Sequence, residues 1–293
     1  MNGGATAAEA GPVAILCGGG SFPYTVADAV IAQGRRAILF ALKGFADPEA
    51  VQRYPHYWAH IGQFGRFVKL ANREGCRDVV FIGTLVRPAV RELRLDWTTL
   101  KLMPRIARQF YGGDDHLLSG VARIFEDHGF RLLGAHEIAP QILMPEGTLG
   151  RCRASEANRA DMTRGFAVLR ATGAFDIGQA VVVAGNNVLA LEAAEGTDLM
   201  LARVRDLRAQ GRIRVPAGTG VLVKAPKPNQ DRRFDLPSIG PRTVEGVRDA
   251  GLGGIAVVAG ETIVAEPQAI VEIADRTGLF VEGCSIAAAR RSG

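Results

Sequence analysis

The groups that could do chemistry concentrate near the last third of the chain. From Lys224 to Arg242, nineteen residues carry Lys224, Lys227, Arg232, Arg233 and Arg242 against Asp231 and Asp235, three of the five net positive charges of the whole sequence. Three prolines between Lys224 and Gly240 stiffen the segment and lower the entropy of holding charged side chains in one geometry. Cations so placed suit phosphate oxygens, and one or two carboxylates suit a hard divalent metal. A solvated, proline-rich charged loop is the alternative.

A second constellation precedes it. Leu191–Asp198, LEAAEGTD, sets Glu192, Glu195 and Asp198 where a strand gives way to a helix. On a strand followed by a turn, Glu192 and Asp198 can converge on one point while Thr197 caps the helix; acids that merely complement the helix dipole are the competing reading. Nearer the amino end, Cys17-Gly18-Gly19-Gly20-Ser21-Phe22-Pro23 joins a strand to a helix. Backbone N–H groups at such a turn can cradle a phosphate. It is not a dinucleotide fingerprint, because Pro23 follows the glycines and the next strand ends in Lys43-Gly44 without the acid that would hold a ribose. Gly112-Gly113-Asp114-Asp115-His116 opens a helix, where Asp114 or Asp115 serves as a cap or faces a ligand.

These residues need a scaffold. Short apolar runs at Val13–Cys17, Ala37–Leu42, Asp78–Ile82 and Arg131–Ala135 predict strands, and between them Phe22–Gln33, Phe64–Glu74 and Asp114–His128 carry helical periodicity and stop at glycines. This alternation predicts a Rossmann-like, doubly wound parallel domain over 12–139. Thr84–Tyr111 interrupts it with two helical stretches holding Pro88 and Pro104, in which basic and apolar residues are mixed as in surfaces that touch anionic lipid. Residues 140–150 read as a linker. A second α/β domain over 151–285 is predicted to hold antiparallel hairpins, one turning at Gly185-Asn186-Asn187 and one at Gly260-Glu261, with helices at Glu156–Arg170, Asp198–Gln210, Thr243–Ala250 and Gln268–Arg276 and strands at Gly220–Lys224 and Leu279–Glu282.

Composition narrows the classes. A hydrophobic fraction of 47% with 22% charged residues in 293 residues is that of a folded globular chain of about two domains. No apolar run reaches the roughly 18 residues of a membrane span, and the first residues lack the pattern of a signal peptide, so a cytoplasmic location is expected. The mild net charge of +5 and 6% aromatic content offer nucleic acid little. Four scattered cysteines form no CxxC and are expected to be structural thiols. Walker A, HExxH and GxSxG are absent.

Taken together, CGGGSFP, GGDDHLL, EAAEGTD and VLVKAPKPNQDRRFDLPSIG resemble the UDP-2,3-diacylglucosamine pyrophosphatases of the LpxI type, over nearly the whole chain from Val13 to Glu282. The resemblance implies hydrolysis of the pyrophosphate of UDP-2,3-diacylglucosamine in lipid A biosynthesis, giving UMP and 2,3-diacylglucosamine 1-phosphate. It also implies a requirement for Mg²⁺, two domains with the substrate between them, and a match of Asp231 to the aspartate on which activity depends. Residue chemistry then assigns Asp231 as metal ligand or water-activating base, Glu195 and Asp198 as further metal ligands, and Lys224, Lys227 and Arg233 as phosphate clamps. Gly19, Gly20, Ser21, Gly83 and Thr84 stand at the ends of predicted strands as nucleotide or phosphate contacts, with Asp114, Thr197 and Gln230 as further substrate contacts. Leu93–Phe110 is the expected lip toward the cytoplasmic face of the inner membrane, and a homodimer is the base-rate expectation. Two readings compete: a nicotinamide-dependent oxidoreductase, and a nucleotide-sugar or lipid binder without catalysis.

Overall fold

Val13–Cys17 (β1) and Ala37–Leu42 (β2) are buried along almost their whole length, as strands covered on both faces must be. The computed structural model describes residues 11–290 apart from 84, 86–92, 110–113, 176, 229 and 235, and the side chains of these residues apart from 106–119 and 290. Contacts divide it into two units, residues up to Pro140 together with Asp231–Asp235, and the remainder.

In the first unit, β1 is followed by α1 (Phe22–Ala32), β2, α2 (Pro48–Val51), β3 (His56–Ala59), α3 (Phe64–Arg73), β4 (Asp78–Ile82), α4 (Trp97–Gln109), α5 (Asp114–Asp127), β5 (Arg131–Leu133) and α6 (Ala135–Ile138). All pairings are parallel and the strand order is β3-β2-β1-β4-β5, the doubly wound order, whose switch point lies between β1 and β4. Phe67 of α3 and Phe125 of α5 pack against Phe40 and Phe130 in one core. At the amino end of β4, Asp78 is 4% exposed and accepts Arg131 Nε at 2.8 Å and Arg35 Nη2 at 2.6 Å. Burial alone would raise this carboxyl, yet the hydrogen bonds from the two guanidinium groups hold it below the usual range.

The second unit contains β6 (Gly147–Leu149), α7 (Glu156–Thr172), β7 (Ala180–Ala184), β8 (Asn187–Leu191), α8 (Gly196–Ala209), β9 (Val221–Lys224), β10 (Ser238–Ile239), α9 (Pro241–Asp249), β11 (Gly254–Val258), β12 (Ile263–Val264), α10 (Pro267–Thr277), β13 (Phe280–Cys284) and α11 (Ile286–Arg290). Its main sheet runs β6-β13-β11-β9-β7-β8, parallel at its centre and antiparallel at both edges. Side chains alternate between the faces: Val182, Leu222 and Ile255 meet α8, α9 and α10, while Val181, Val183 and Val223 meet α7. Gly185 (φ +57°) and Asn186 (φ +61°) turn the β7–β8 hairpin, the two positive φ values that its tight turn demands.

Several expectations are corrected. Pro48–Val51 and His56–Ala59 were not foreseen, and four residues are too few to show a period. β5 stops at Leu133, because Ala135 begins α6. The stretch 140–150 is no plain linker: Pro140–Ile142 forms a 3₁₀ turn and Gly147–Leu149 pairs with β13. No hairpin turns at Gly260-Glu261, since β12 pairs in parallel with β10. From Trp97 the basic-apolar stretch is one helix that accommodates Pro104, and Pro88 lies outside the described residues.

Candidate active site

At the carboxyl ends of β1 and β4 two glycine turns cross. Gly18 N–H donates to Ile82 O at 2.9 Å, and a Cβ added at Gly83 (φ +105°) would stand 2.8 Å from the Gly18 backbone and Gly19 O. Only glycine permits this approach at the switch point of the sheet, where open α/β sheets bind ligands. Gly20 and Ser21 are exposed there, and the Ser21 side chain makes no capping bond although α1 begins at Phe22. Burial raises the nearby Cys17 thiol to about 11, so it stays protonated and is not a nucleophile. Thr84 and the side chain of Asp114 lie outside the described residues.

Asp231 also belongs to the first unit. Its Oδ1 accepts Arg233 N at 3.0 Å and Arg233 Nε at 3.0 Å, and its Oδ2 accepts Arg233 Nη2 at 2.8 Å. Arg233 Nη1 reaches Glu126 at 2.9 Å, and Phe234 packs its ring 5.2 Å from Phe81, which anchors the segment. The hydrogen bond from Arg233 holds Asp231 below the usual carboxylate range, and the same bond pushes Arg233 up. Both side chains stay partly open, 23% and 33% exposed.

In the second unit a buried relay ends in a cation. Lys224, last residue of β9 and 7% exposed, donates from Nζ to Thr197 Oγ1 at 3.0 Å and to Ser238 O at 2.9 Å. Thr197 Oγ1 in turn donates to Glu192 Oε1 at 2.6 Å, and Glu192 Oε2 accepts Gln179 N–H at 2.7 Å. Thr197 is therefore a bridge to the lysine and not the expected helix cap, a position that Glu195 takes. Glu195 is engaged by Arg203 at 2.7 Å and by Ala193 N–H, while Asp198 stands exposed with Arg242 at 4.0 Å. Gln230 accepts Lys227 N–H at 2.9 Å through Oε1, and its buried Nε2 has no acceptor among the described residues. Sequence reasoning missed the anchoring part of Glu192 and the contact of Glu126 with Arg233; the first lay inside a motif already noted, the second had no signal at a separation of 107 residues.

Among the described residues no group of three or more His, Cys, Asp or Glu could hold a metal. Mg²⁺ commonly takes only one or two carboxylates and completes its shell with waters and substrate phosphates. Asp231 suits that use in being ionised and partly open, with Arg233 addressing both of its oxygens, Oδ1 from N and Nε and Oδ2 from Nη2 and Nε, so that a metal would share the carboxylate with the guanidinium.

Comparison with known proteins gives a consistent picture. Residues 12–142 match the family model described as LpxI N-terminal domain, and residues 145–282 match LpxI C-terminal domain. A relative from Caulobacter vibrioides, UDP-2,3-diacylglucosamine pyrophosphatase LpxI, is 42% identical over 269 residues, 92% of this chain and 96% of that protein. Among solved structures, UDP-glucose-4-epimerase from Stenotrophomonas maltophila is 18% identical over 42% of this chain and 35% of its own, with a TM-score of 0.28, too slight a likeness to bear on the fold.

Proposed function

The chain belongs to the LpxI family, and from that premise we propose that it hydrolyses the pyrophosphate of UDP-2,3-diacylglucosamine to UMP and 2,3-diacylglucosamine 1-phosphate, a step of lipid A biosynthesis. The observation that carries this reading is the ionised, partly open Asp231 beside the guanidinium of Arg233, within the segment whose charges first pointed to a polyanion.

Cleaving a pyrophosphate requires that charge on both phosphates be offset while water attacks in line. Lys224, fixed by Thr197 and Ser238, and Arg233 are the cations that bind these oxygens, with Lys227 as a further clamp. A bound Mg²⁺ would add Lewis-acid charge at the phosphates, with Asp231 as its protein ligand. A carboxylate held below its usual range is a weak base, so Asp231 serves better as ligand and positioner than as proton acceptor. Of the other two acids, exposed Asp198 is the better second ligand, because Glu195 is committed to Arg203. Gly19, Gly20, Ser21 and Gly83 receive nucleotide phosphate at the switch point, and Gln230 donates to substrate through Nε2.

The finer reading places the enzyme peripherally on the cytoplasmic face of the inner membrane, as a homodimer by base rate. No described helix is long and apolar enough to cross a membrane. Support for a surface position comes from α4, where Trp97 is 70% exposed and Leu100 49%, with Lys101 Nζ 5.6 Å from the Trp97 ring.

Purified protein with substrate and Mg²⁺ in oxygen-18 water, followed by mass spectrometry of both products, tests the reaction. UMP release that vanishes with EDTA and in Asp231→Asn is expected, and the labelled product names the attacked phosphorus. Release equal to the controls would overturn the assignment.

A further inference from the structure

Beyond the glycine turns, the first unit holds a cavity of about 630 Å³ lined by Lys43, Gly44, Phe45, Ala46, Pro48 and Trp58. Its volume lies in the range of small-molecule sites, and it is a shallow depression largely open to solvent. It opens at the carboxyl ends of β2 and β3: Trp58 is in register with Ala41, and Lys43 N–H donates to Ala59 O at 3.0 Å just past the end of β2. In doubly wound sheets the nucleoside half of a ligand lies by the end of the second strand, with its phosphates at the first strand-to-helix turn.

Three observations fit that use. The lining offers two aromatic side chains and an ammonium group, an arrangement for a flat ring that also carries acceptors. Cys17, Ala41 and Trp58 form one row across β1, β2 and β3, so Trp58 stands two strand spacings, roughly 10 Å, from the residue that opens the glycine turn. One nucleoside phosphate spans such a gap. Finally, the ends of these strands are positive: besides burial, Arg94, Lys43 and Arg66 all lower the pKa of His60, two residues after Trp58.

We infer that this cavity is the nucleoside subsite, in which the uracil ring of the substrate packs against Trp58 and Phe45 while Lys43 donates to its carbonyl oxygens or to the adjoining phosphate. A lysine where dinucleotide-binding proteins place an acid also disfavours an NAD-type ribose. The inference rests on the pyrophosphatase reading above and names where that substrate is recognised.

Trp58 and Trp97 are the only tryptophans, so in a Trp97→Phe protein the emission belongs to Trp58 alone. Titration with UMP is expected to quench it saturably, and 2,3-diacylglucosamine 1-phosphate is expected to leave it unchanged. With Trp97 intact, Trp58→Leu is expected to raise KM for UDP-2,3-diacylglucosamine at least tenfold with kcat within about threefold, and to weaken inhibition by UMP by the same factor; Trp58→Phe, which keeps a stacking ring, restores both. Quenching by the acylated product and not by UMP would overturn the inference in favour of an acyl groove. An unchanged KM in folded Trp58→Leu and Lys43→Ala proteins would overturn it as well. UMP binding at Trp58 in a protein without hydrolase activity would uphold the subsite and sink the pyrophosphatase reading, so the two failures are distinguishable.

Discussion

Of the aspartates of the first unit that pair with arginine, Asp78 and Asp231 stand furthest apart in setting, and the difference between them separates structure from chemistry. Asp78 lies at the amino end of β4 with a side chain 5% exposed, and two guanidinium groups brought from Arg35 and Arg131 share its single carboxylate. At Asp231 the ratio is inverted: one guanidinium, Arg233, lies between two carboxylates, Asp231 and Glu126, and all remain partly exposed. Both carboxyls are held below their ordinary range with arginine as a cause. The first pair is closed to any ligand and joins three distant segments. The second is local, two residues apart, and stays partly exposed to solvent.

The largest test of this contrast is removal of charge at each aspartate. Asp231→Asn is expected to lower kcat about a thousandfold, roughly 4 kcal/mol of lost transition-state stabilisation, with the thermal midpoint nearly unchanged. Steady-state kinetics and calorimetry on one sample check it; a lost midpoint with retained kcat would invert the assignment. Asp78→Ala should do the opposite, costing about 3 kcal/mol of stability because it leaves the buried Arg35 guanidinium without its counter-charge, with only Gly11 O still accepting from it, and with little effect on kcat. Arg131 is 70% exposed, which is why the lower end of the range for a broken buried pair applies. The sign in pH follows from the depressed carboxyl. Its contribution is fully present above the unfolded value near 3.8 and is lost as pH falls through the lower folded value, so urea stability should drop below about pH 4 in the native chain and drop less in Asp78→Ala.

How far each region was legible depends on sequence separation. β1, β2 and β4 were readable to the residue, because buried strands of a parallel sheet are continuous apolar runs bounded by glycine or charge. β3 was not, because HYWA carries two polar rings among its four residues and takes its place from pairing with β2. The charged segment announced itself by composition, yet nothing local told that Phe234 would settle against Phe81 and Arg233 against Glu126. Thr197 shows the same limit. Its position before a helix suggested a cap, and the tertiary partner Lys224, twenty-seven residues on, decided otherwise.

Lys224 provides an intermediate case between the closed and the open pair, a buried cation that donates to the neutral oxygens of Thr197 and Ser238, with the carboxylate of Glu192 one hydroxyl away. If Thr197 positions the ammonium, then Thr197→Val should reduce kcat/KM about tenfold, near 1.4 kcal/mol, and Thr197→Ser should restore it. Equal losses in valine and serine would mean that the methyl packing matters and not the relay.

The smallest effect is expected where the cation has an aromatic partner at the surface. Lys101 sits over the exposed Trp97 ring, and Leu95 and Leu100 are each more than 40% exposed on either side in sequence. At a water-exposed site the cation–π contact contributes about 0.5–1 kcal/mol, so its value for stability is slight and the exposed apolar area is what needs explaining. A bilayer with anionic headgroups would account for both parts, taking the tryptophan and leucines at the interface and the ammonium at the phosphates. Trp97→Ala should therefore weaken cosedimentation with phosphatidylglycerol-containing vesicles severalfold while leaving the thermal midpoint within about a degree. Raising salt should weaken binding of the native chain in the same direction, because each surface cation contributes about 1 kcal/mol that is screened over a Debye length. Binding that is insensitive to both changes would remove α4 from the membrane surface and leave its apolar face to be covered by protein.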